Sequence, residues 1–453
     1  MRVSVVGTGY VGLVSGVCLA DAGHHVVCVD ASAERLEAIR RGRPPFHEPG
    51  LEELLASPGV RARLRLARDT RAAVAATDLT LIAVGTPSAD GVMDASQVLA
   101  ACDEVGAALR AKRGYHAVAV KSTVVPGTTG GPVRARLEGA AGQRAGAFGL
   151  CMNPEFLREG SAVRDFAEPD RIVIGCWDER SSAPLLELYA GYRCPKIVTS
   201  LRNAEMIKYA SNALLATLIS FSNEFAGLCE RTPGADVETV MGGVHLDRRW
   251  SVPGGGGGGA AMLDYLRAGI GFGGSCLPKD VNALRAHARE QGAATPLLDA
   301  VMQVNGRRPA QMAELLEAEV GGLAGAAVAV LGLVFKPGTD DLRDSPALAV
   351  ADELARRGAR VRGYDPALVR QTPVGLGPGI ALCERPEQAL ERADGAVVAT
   401  AWPEFATWDW AALTRRMRRP VVVDGRNALR QVAWPEGVIY RPIGRLEAEV
   451  AAV

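Results

Sequence analysis

Five short segments of this 453-residue chain bring together residue types that can do chemistry at useful spacings. In Gly7-Thr-Gly9-Tyr10-Val11-Gly12 three glycines follow an apolar run and open a helical pattern, and Asp30 closes the next apolar run about 20 residues on. This is the spacing of a dinucleotide fingerprint: the glycines let the backbone approach a pyrophosphate at a helix N-terminus, and the carboxylate accepts from a ribose diol. The same carboxylate repels a 2′-phosphate, which favours NAD over NADP. A tight strand–helix turn with no ligand is the plainer reading, and the acid at the right distance weighs against it.

The second segment, Gly271-Phe-Gly273-Gly-Ser-Cys276-Leu-Pro-Lys279-Asp280, sets a thiol just before a helix start marked by Pro278. Backbone N–H groups and the positive end of a helix dipole lower a thiol's pKa there, and Lys279 can add to that. Cys18, Cys102 and Cys229 read as small buried apolar residues, whereas the polar, Gly-rich surroundings of Cys276 suit a nucleophile. In Asn153-Pro-Glu155-Phe156-Leu157-Arg-Glu159-Gly-Ser161 two carboxylates stand four residues apart, a pattern that ordinarily caps a helix. Lys208 and Asn212 in the fourth segment share one helix face; such a lysine often snorkels, and such a pair can equally stabilise an oxyanion. The fifth, Phe335-Lys336-Pro-Gly-Thr-Asp-Asp-Leu-Arg343, is a polar loop after a strand, where α/β sheets bind ligands. The chain holds 45 Arg and only 6 Lys, and four of those lysines (121, 208, 279 and 336) fall in motif-like segments. A general preference for Arg explains the imbalance; each remaining Lys marks a place where an amine could be needed.

The elements that must position these groups alternate. Apolar runs at Val3–Val6, His25–Val29, Leu79–Val84, Ala117–Val120 and Arg171–Ile174 are separated by helical stretches, which predicts a parallel sheet with helices on both faces. Residues 203–231 read as one spine helix with an apolar stripe at Met206, Tyr209, Ala213, Leu214, Leu218, Phe221, Phe225 and Leu228, suited to bury against a second subunit. After Leu323 the alternation restarts, with strands at Val328–Leu333, Arg360–Tyr364, Gly395–Thr400 and Val421–Asp424 and a helix at Pro346–Arg357. This second α/β domain lacks a Gly-x-Gly-x-x-Gly. Pro253 and the glycines 254–259 read as a flexible loop. The fold class is therefore α/β, two Rossmann-like parallel-sheet domains joined by a long central helix.

Composition sets the outer limits. Basic and acidic side chains balance at 51 each, which argues against nucleic acid or an anionic membrane as the main partner. No apolar run approaches the roughly 20 residues of a membrane span, and Met1-Arg-Val-Ser-Val-Val leads straight into the Gly turn without a signal peptide. Nine scattered cysteines without a Cys-x-x-Cys pair make disulfides and a metal site poor readings. A cytoplasmic protein with free thiols is the expectation.

Taken together, Gly7–Gly12, Glu48-Pro-Gly-Leu51, Val84-Gly-Thr86-Pro87, Ser122-Thr123-Val-Val-Pro-Gly-Thr128, Asn153–Gly175, Ala204–Glu224, Gly271–Asp280 and Phe335–Arg343 resemble the nucleotide-sugar 6-dehydrogenases, the family of UDP-glucose and GDP-mannose dehydrogenases, over nearly the whole chain. The Asn153–Gly175 and Ala204–Glu230 blocks are most similar to the UDP-glucose branch. Tyr265-Leu-Arg and Ser275-Cys-Leu-Pro-Lys-Asp lean toward the GDP-mannose branch. The resemblance implies an NAD-binding domain at 1–200, a central helical and dimerisation region carrying the Cys loop at 201–320, and a nucleotide-sugar-binding α/β domain at 321–453. It implies a homodimer and a four-electron oxidation with two NAD⁺ in succession. The sugar's 6-hydroxyl becomes an aldehyde, Cys276 adds to it as a thiohemiacetal, and a second oxidation gives a thioester that water hydrolyses to the uronate.

Carried over by residue, Lys208 and Asn212 stabilise the alkoxide and oxyanion, Asp280 orients water, and Glu155 is the other acid–base carboxylate. Asp30, Arg35, Thr86, Thr123, Glu159 and Arg343 join the Gly7–Gly12 turn in contacting NAD. Phe156, Leu157, Tyr265, Leu266, Gly273, Phe335, Lys336 and Arg426 line the nucleotide-sugar site. The family's Arg-Ile-Gly, whose Arg reaches the partner subunit's site, has only Arg249 as a counterpart here, separated from Tyr265-Leu266 by the Gly-rich stretch. UDP-glucose is the first substrate expectation, then dTDP-glucose, with GDP-mannose or another NDP-hexose as the alternative. A two-electron β-hydroxyacid-type dehydrogenase would have no use for Cys276, and a silent NAD-binding scaffold none for Lys208, Asn212 and Asp280.

Overall fold

The apolar runs become strands buried on both faces. The structure, a computed structural model, describes residues 1–89, 91–142, 147–247, 265–369, 376–377 and 379–445. It divides into two units, one of residues 1–211 with 282–291 and one of residues 212–281 with 292–453.

In the first unit β1 (Arg2–Val6), β2 (His25–Val29), β3 (Leu64–Ala67), β4 (Leu79–Ile82), β5 (Ala117–Val120), β6 (Gly149–Met152), β7 (Ile172–Cys176) and β8 (Lys196–Ser200) form one sheet in the order β8-β7-β6-β5-β4-β1-β2-β3. The side chains of β4, β5 and β6 are buried throughout, as expected of central strands covered on both faces. Helix α1 (Tyr10–Asp21) lies in the β1–β2 crossover and buries Leu13, Val14, Val17 and Leu19 against the sheet. One pair departs from the parallel expectation: β7 runs antiparallel to β6, with Cys151 opposite Cys176. The connection between them, residues 153–171, holds the six-residue helix Ala162–Ala167, about 9 Å long.

The second unit carries β9 (Ala327–Leu331), β10 (Arg360–Tyr364), β11 (Ile380–Leu382), β12 (Gly395–Val398), β13 (Val421–Asp424) and β14 (Ile439–Pro442) in the order β11-β10-β9-β12-β13-β14, with every pair parallel. Asp365 follows β10 as Asp30 follows β2, but its Oδ2 accepts from Leu333 N (2.7 Å) and Val334 N (3.0 Å). Two donors of the post-β9 turn are therefore already engaged within the protein, in keeping with the absent glycine fingerprint. The fold is thus two parallel-sheet α/β domains with a central helix.

That helix, α2, runs Leu201–Cys229, two residues earlier at each end than expected. The expected single stripe is two faces. Tyr209, Ala213 and Leu218 are buried, whereas Met206, Leu214, Phe221 and Leu228 are exposed. Among the described residues no helix is long and apolar enough to cross a membrane.

Candidate active site

The dinucleotide turn shows why three glycines are needed. Gly7 adopts φ +96°, and a Cβ there would lie 2.7 Å from the Ala83 carbonyl oxygen; one on Gly12 would lie 1.9 Å from the Gly7 oxygen. Over Gly9 the space is open, and Gly9 begins α1 with no side-chain cap. An uncapped helix start with room over its backbone fits a pyrophosphate. Asp30 accepts from Thr8 N (2.8 Å), Thr8 Oγ1 (2.7 Å) and Arg35 (3.0 Å) through Oδ2, and from Ser32 N (2.9 Å) through Oδ1. Burial pushes this carboxyl up, but the donors outweigh it and leave it below the usual range. It is an anion at neutral pH.

Thr86 and Thr123 follow the carboxyl ends of β4 and β5, the ligand edge of a doubly wound sheet, and both are half-buried. The loop after Thr123 is pinned by fully buried Glu205, which accepts from Gly127 N (2.6 Å) and Thr129 N (2.7 Å). Tyr10 donates its hydroxyl to Glu48, and Glu48 also accepts from Gly160 N and Ala162 N at 2.7 Å each. That network ties the Glu159 loop to the turn, while Val11 packs on the core. Arg343, expected with these NAD residues, belongs to the second unit and is paired there with Asp341 at 2.6 Å.

On the substrate side of the first unit, Lys208 Nζ stands 2.9 Å from Glu155 Oε1, with both side chains buried. Glu155 Oε2 also accepts from Leu157 N at 2.6 Å. Burial alone would raise this carboxyl; Lys208, the Leu157 N–H and Lys121 together hold it below the ordinary value. The Phe156 ring faces the Arg171 guanidinium at 4.0 Å and Lys208 at 5.5 Å. Sequence spacing alone gave no sign of the Glu155–Lys208 pair, because 53 residues separate its members.

Asn212 lies one turn after Lys208 on α2 and belongs to the second unit. Cys276 immediately precedes helix α3 (Leu277–Glu290), and its carbonyl accepts from Asp280 N at 2.9 Å, so the thiol stands at the helix start as expected. Ser275 Oγ lies 3.5 Å from Sγ. Asp280, 2% exposed, accepts from Asn212 Nδ2 at 2.6 Å and from Lys279 Nζ at 2.5 Å. Lys279, expected to support the thiol, thus bonds the neighbouring carboxylate.

The glycines before Cys276 are dictated by close approach. A Cβ on Gly273 would lie 2.0 Å from the Asp344 carbonyl oxygen, and one on Gly274 2.8 Å from the Phe335 ring. Lys336 Nζ is 5.4 Å from that ring. Arg426 donates to the Ala399 and Gly271 carbonyls, at 2.9 and 3.4 Å. Burial, with Arg308 nearby, pushes its pKa down to about 10. Leu266 is buried and its carbonyl accepts from Ser222, while Tyr265 is half-buried. The structure therefore brings Cys276, Asn212, Asp280, Gly273, Phe335, Lys336 and Arg426 into the second unit and Glu155, Lys208, Phe156 and Leu157 into the first. Arg249 and the glycine run 254–259 lie outside the described residues.

Three positioning groups escaped the sequence reading. Asn305 accepts from Phe272 N (2.8 Å) and donates to Phe272 O (3.0 Å), Arg308 donates to Gly269 O (2.8 Å), and Asn223 accepts from Gly269 N (2.7 Å). All hold the irregular segment that leads to Cys276. The available signal was polar side chains on the apolar faces of long helices.

Known proteins resemble this chain along its whole length. Descriptions of the UDP-glucose/GDP-mannose dehydrogenase family match its NAD-binding domain at residues 1–193, its central domain at 202–307 and its UDP-binding domain at 329–431. A UDP-glucose 6-dehydrogenase of Rhizobium meliloti is 43% identical across 98% of this chain and 100% of its own. A GDP-mannose 6-dehydrogenase of Azotobacter vinelandii is 39% identical across 81% of each. The solved UDP-glucose dehydrogenase of Pyrobaculum islandicum superposes with a TM-score of 0.88 at 43% identity, covering 98% of both chains.

Proposed function

The chain belongs to the UDP-glucose/GDP-mannose dehydrogenase family, and we propose that within it this enzyme oxidises UDP-glucose to UDP-glucuronate. It is an NAD-dependent nucleotide-sugar 6-dehydrogenase. UDP-glucose is supported over other nucleotide sugars by full-length relatives of that name. The observation that carries the chemistry is Cys276 at the start of α3, beside the Asn212–Asp280–Lys279 cluster.

NAD, when bound, would supply the hydride acceptor for each of the two oxidations, one molecule for each. The Gly7–Gly12 turn and Asp30 would hold it. In the first oxidation Lys208 and Asn212 donate to the C6 oxygen as its proton passes to the water that Asp280 orients, and Glu155 is the carboxylate that balances Lys208. Cys276 Sγ then bonds to the aldehyde carbon, and the carbonyl oxygen takes up charge that the same donors stabilise. The resulting thiohemiacetal keeps a hydrogen on C6, so a second oxidation gives a thioester on Cys276. Asp280 orients water to attack that carbonyl, the C–S bond breaks, and the thiolate leaves behind a carboxylate. Phe335, Lys336 and Arg426, in the family's nucleotide-binding domain, are the groups we assign to the UDP moiety.

We also infer a homodimer. Leu214, Phe221 and Leu228 recur every seven residues on α2 and are 49%, 44% and 55% exposed, an apolar seam that a second copy of the helix would cover. The test of substrate is kcat/KM for UDP-glucose, dTDP-glucose and GDP-mannose in parallel. The reading expects UDP-glucose to lead, and a lead by GDP-mannose overturns it.

A further inference from the structure

Lys121 is a buried amine that the chemistry above leaves unused. It follows β5, is 4% exposed, and donates to Asn153 Oδ1 at 3.2 Å. That oxygen also accepts the Tyr189 hydroxyl at 2.7 Å, so the ammonium leans on one neutral, shared acceptor. Lys121 and Glu155 line the same cavity of about 230 Å³, walled by the 153–158 and 164–172 segments with Tyr189 and Tyr192. Three ionisable groups of the first unit thus have buried side chains here: two amines, Lys121 and Lys208, and one carboxylate, Glu155.

The arithmetic of charge gives the arrangement a purpose. Glu155 and Lys208 form a buried pair, and withdrawing one partner of such a pair leaves an uncompensated charge at high cost. In the first oxidation Lys208 must turn its donors to the C6 oxygen. A second cation near Glu155 removes the penalty for that turn. We propose that Lys121 is a positioning residue for the first oxidation, sharing the Glu155 carboxylate with Lys208 and keeping it ionised while Lys208 serves the substrate oxygen. The proposal rests on the roles given to Glu155 and Lys208 above.

The surroundings agree. Burial, chiefly, lowers the Lys121 pKa to about 8; Glu155 opposes that shift and Lys208 adds to it. Of the other charges around the cavity, Arg158 is paired with Asp165 at 2.6 Å, and Arg171 donates to Ser211 while covering Phe156. Tyr189 and Tyr192 are pushed up by burial and stay neutral phenols. Arg164, Glu168 and Asp170 complete the lining. In a chain with 45 Arg and 6 Lys, a compact amine with one acceptor is retained where a five-donor guanidinium would lack partners.

The experiment is the pH dependence of the first hydride transfer in single turnover with UDP-glucose, for the wild type, Lys121→Met, Lys121→Arg and Glu155→Gln. The wild-type rate is expected to fall as pH rises through about 8, where Lys121 gives up its proton. Lys121→Arg stays charged and loses that limb. Lys121→Met is slowed by at least ~10-fold at neutral pH with an unchanged Tm. Wild-type profiles in both Lys121 variants, with Glu155→Gln impaired, overturn this proposal alone. A Glu155→Gln enzyme running at the wild-type rate overturns the assignment of Glu155 as well. Where Lys121→Met does not fold, Lys121→Arg decides: an alkaline limb kept at the wild-type position overturns the proposal.

Discussion

The Asn212 amide donates to Asp280 Oδ2 at 2.6 Å while Lys279 holds Oδ1 at 2.5 Å, so both oxygens of one buried carboxylate are fixed at the foot of the Cys276 helix. Each partner holds a different oxygen, so the carboxylate is fixed from two sides. The arrangement ties the helix that carries Asn212 to the first turn of α3, which Cys276 immediately precedes, within a single unit.

Replacing that carboxylate tests its part in hydrolysis. Asp280→Asn is expected to lower kcat by ~100-fold or more, in the range of a lost acid–base or water-orienting group. It should also accumulate a sugar acyl adduct on Cys276, visible as a mass increase on the intact protein. Wild-type turnover without adduct would remove Asp280 from the last step.

Cys276→Ser separates the two oxidations. The variant is expected to bind UDP-glucose and NAD with wild-type affinity and to lose uronate formation by at least ~10³-fold, because a hydroxyl at that position does not provide the thiolate adduct. Product analysis by mass spectrometry decides. Uronate formed at the wild-type rate would rule out a thioester on this residue.

Asp30 governs the choice between NAD and NADP. Its carboxylate is held ionised by the Thr8, Ser32 and Arg35 donors, and an anion there repels a 2′-phosphate. Asp30→Asn should reduce the NAD-over-NADP ratio of kcat/KM by ~10-fold or more. An unchanged ratio would mean that another group excludes the phosphate.

The apolar seam on α2 makes a claim about assembly. Phe221→Glu with Leu228→Glu places charges on the two most C-terminal seam positions, both exposed in the single chain. Light scattering on the eluting protein should show a dimer converted to a folded monomer. A wild-type mass in the double variant would move the interface elsewhere.

Stability should depend on pH through His116. This side chain is 1% exposed, its Nε2 meets Thr80 Oγ1 at 2.8 Å, and burial, helped by Lys112, lowers its pKa from 6.5 to about 4. The unfolded chain therefore takes up a proton that the folded one refuses. The contribution is complete above about pH 6.5 and falls by up to about 3 kcal/mol as pH drops toward 4. His116→Gln should unfold with a shallower pH dependence across that window. Identical slopes in denaturant titrations would contradict the assignment.

Much of this architecture was legible because its signals are local. Strands such as His25–Val29 and Val421–Asp424 are short apolar runs that meet an acid at their end, and the helix start at Cys276 was marked by Pro278. What escaped depends on distant partners. β8 is largely exposed and carries no burial pattern, and the antiparallel direction of β7 shows only in its pairing with β6. The apolar stripe of α2 read as one face because hydrophobicity cannot tell a core from a seam. Lys121, Glu155 and Lys208 each stood out in a motif, but only the fold brings them together.

The most direct test of the central claim is the yield of NADH from limiting UDP-glucose with excess NAD⁺. The four-electron route through Cys276 predicts two NADH for each UDP-glucose consumed, with UDP-glucuronate as the product. One NADH for each sugar, with an aldehyde as the end product, would contradict it.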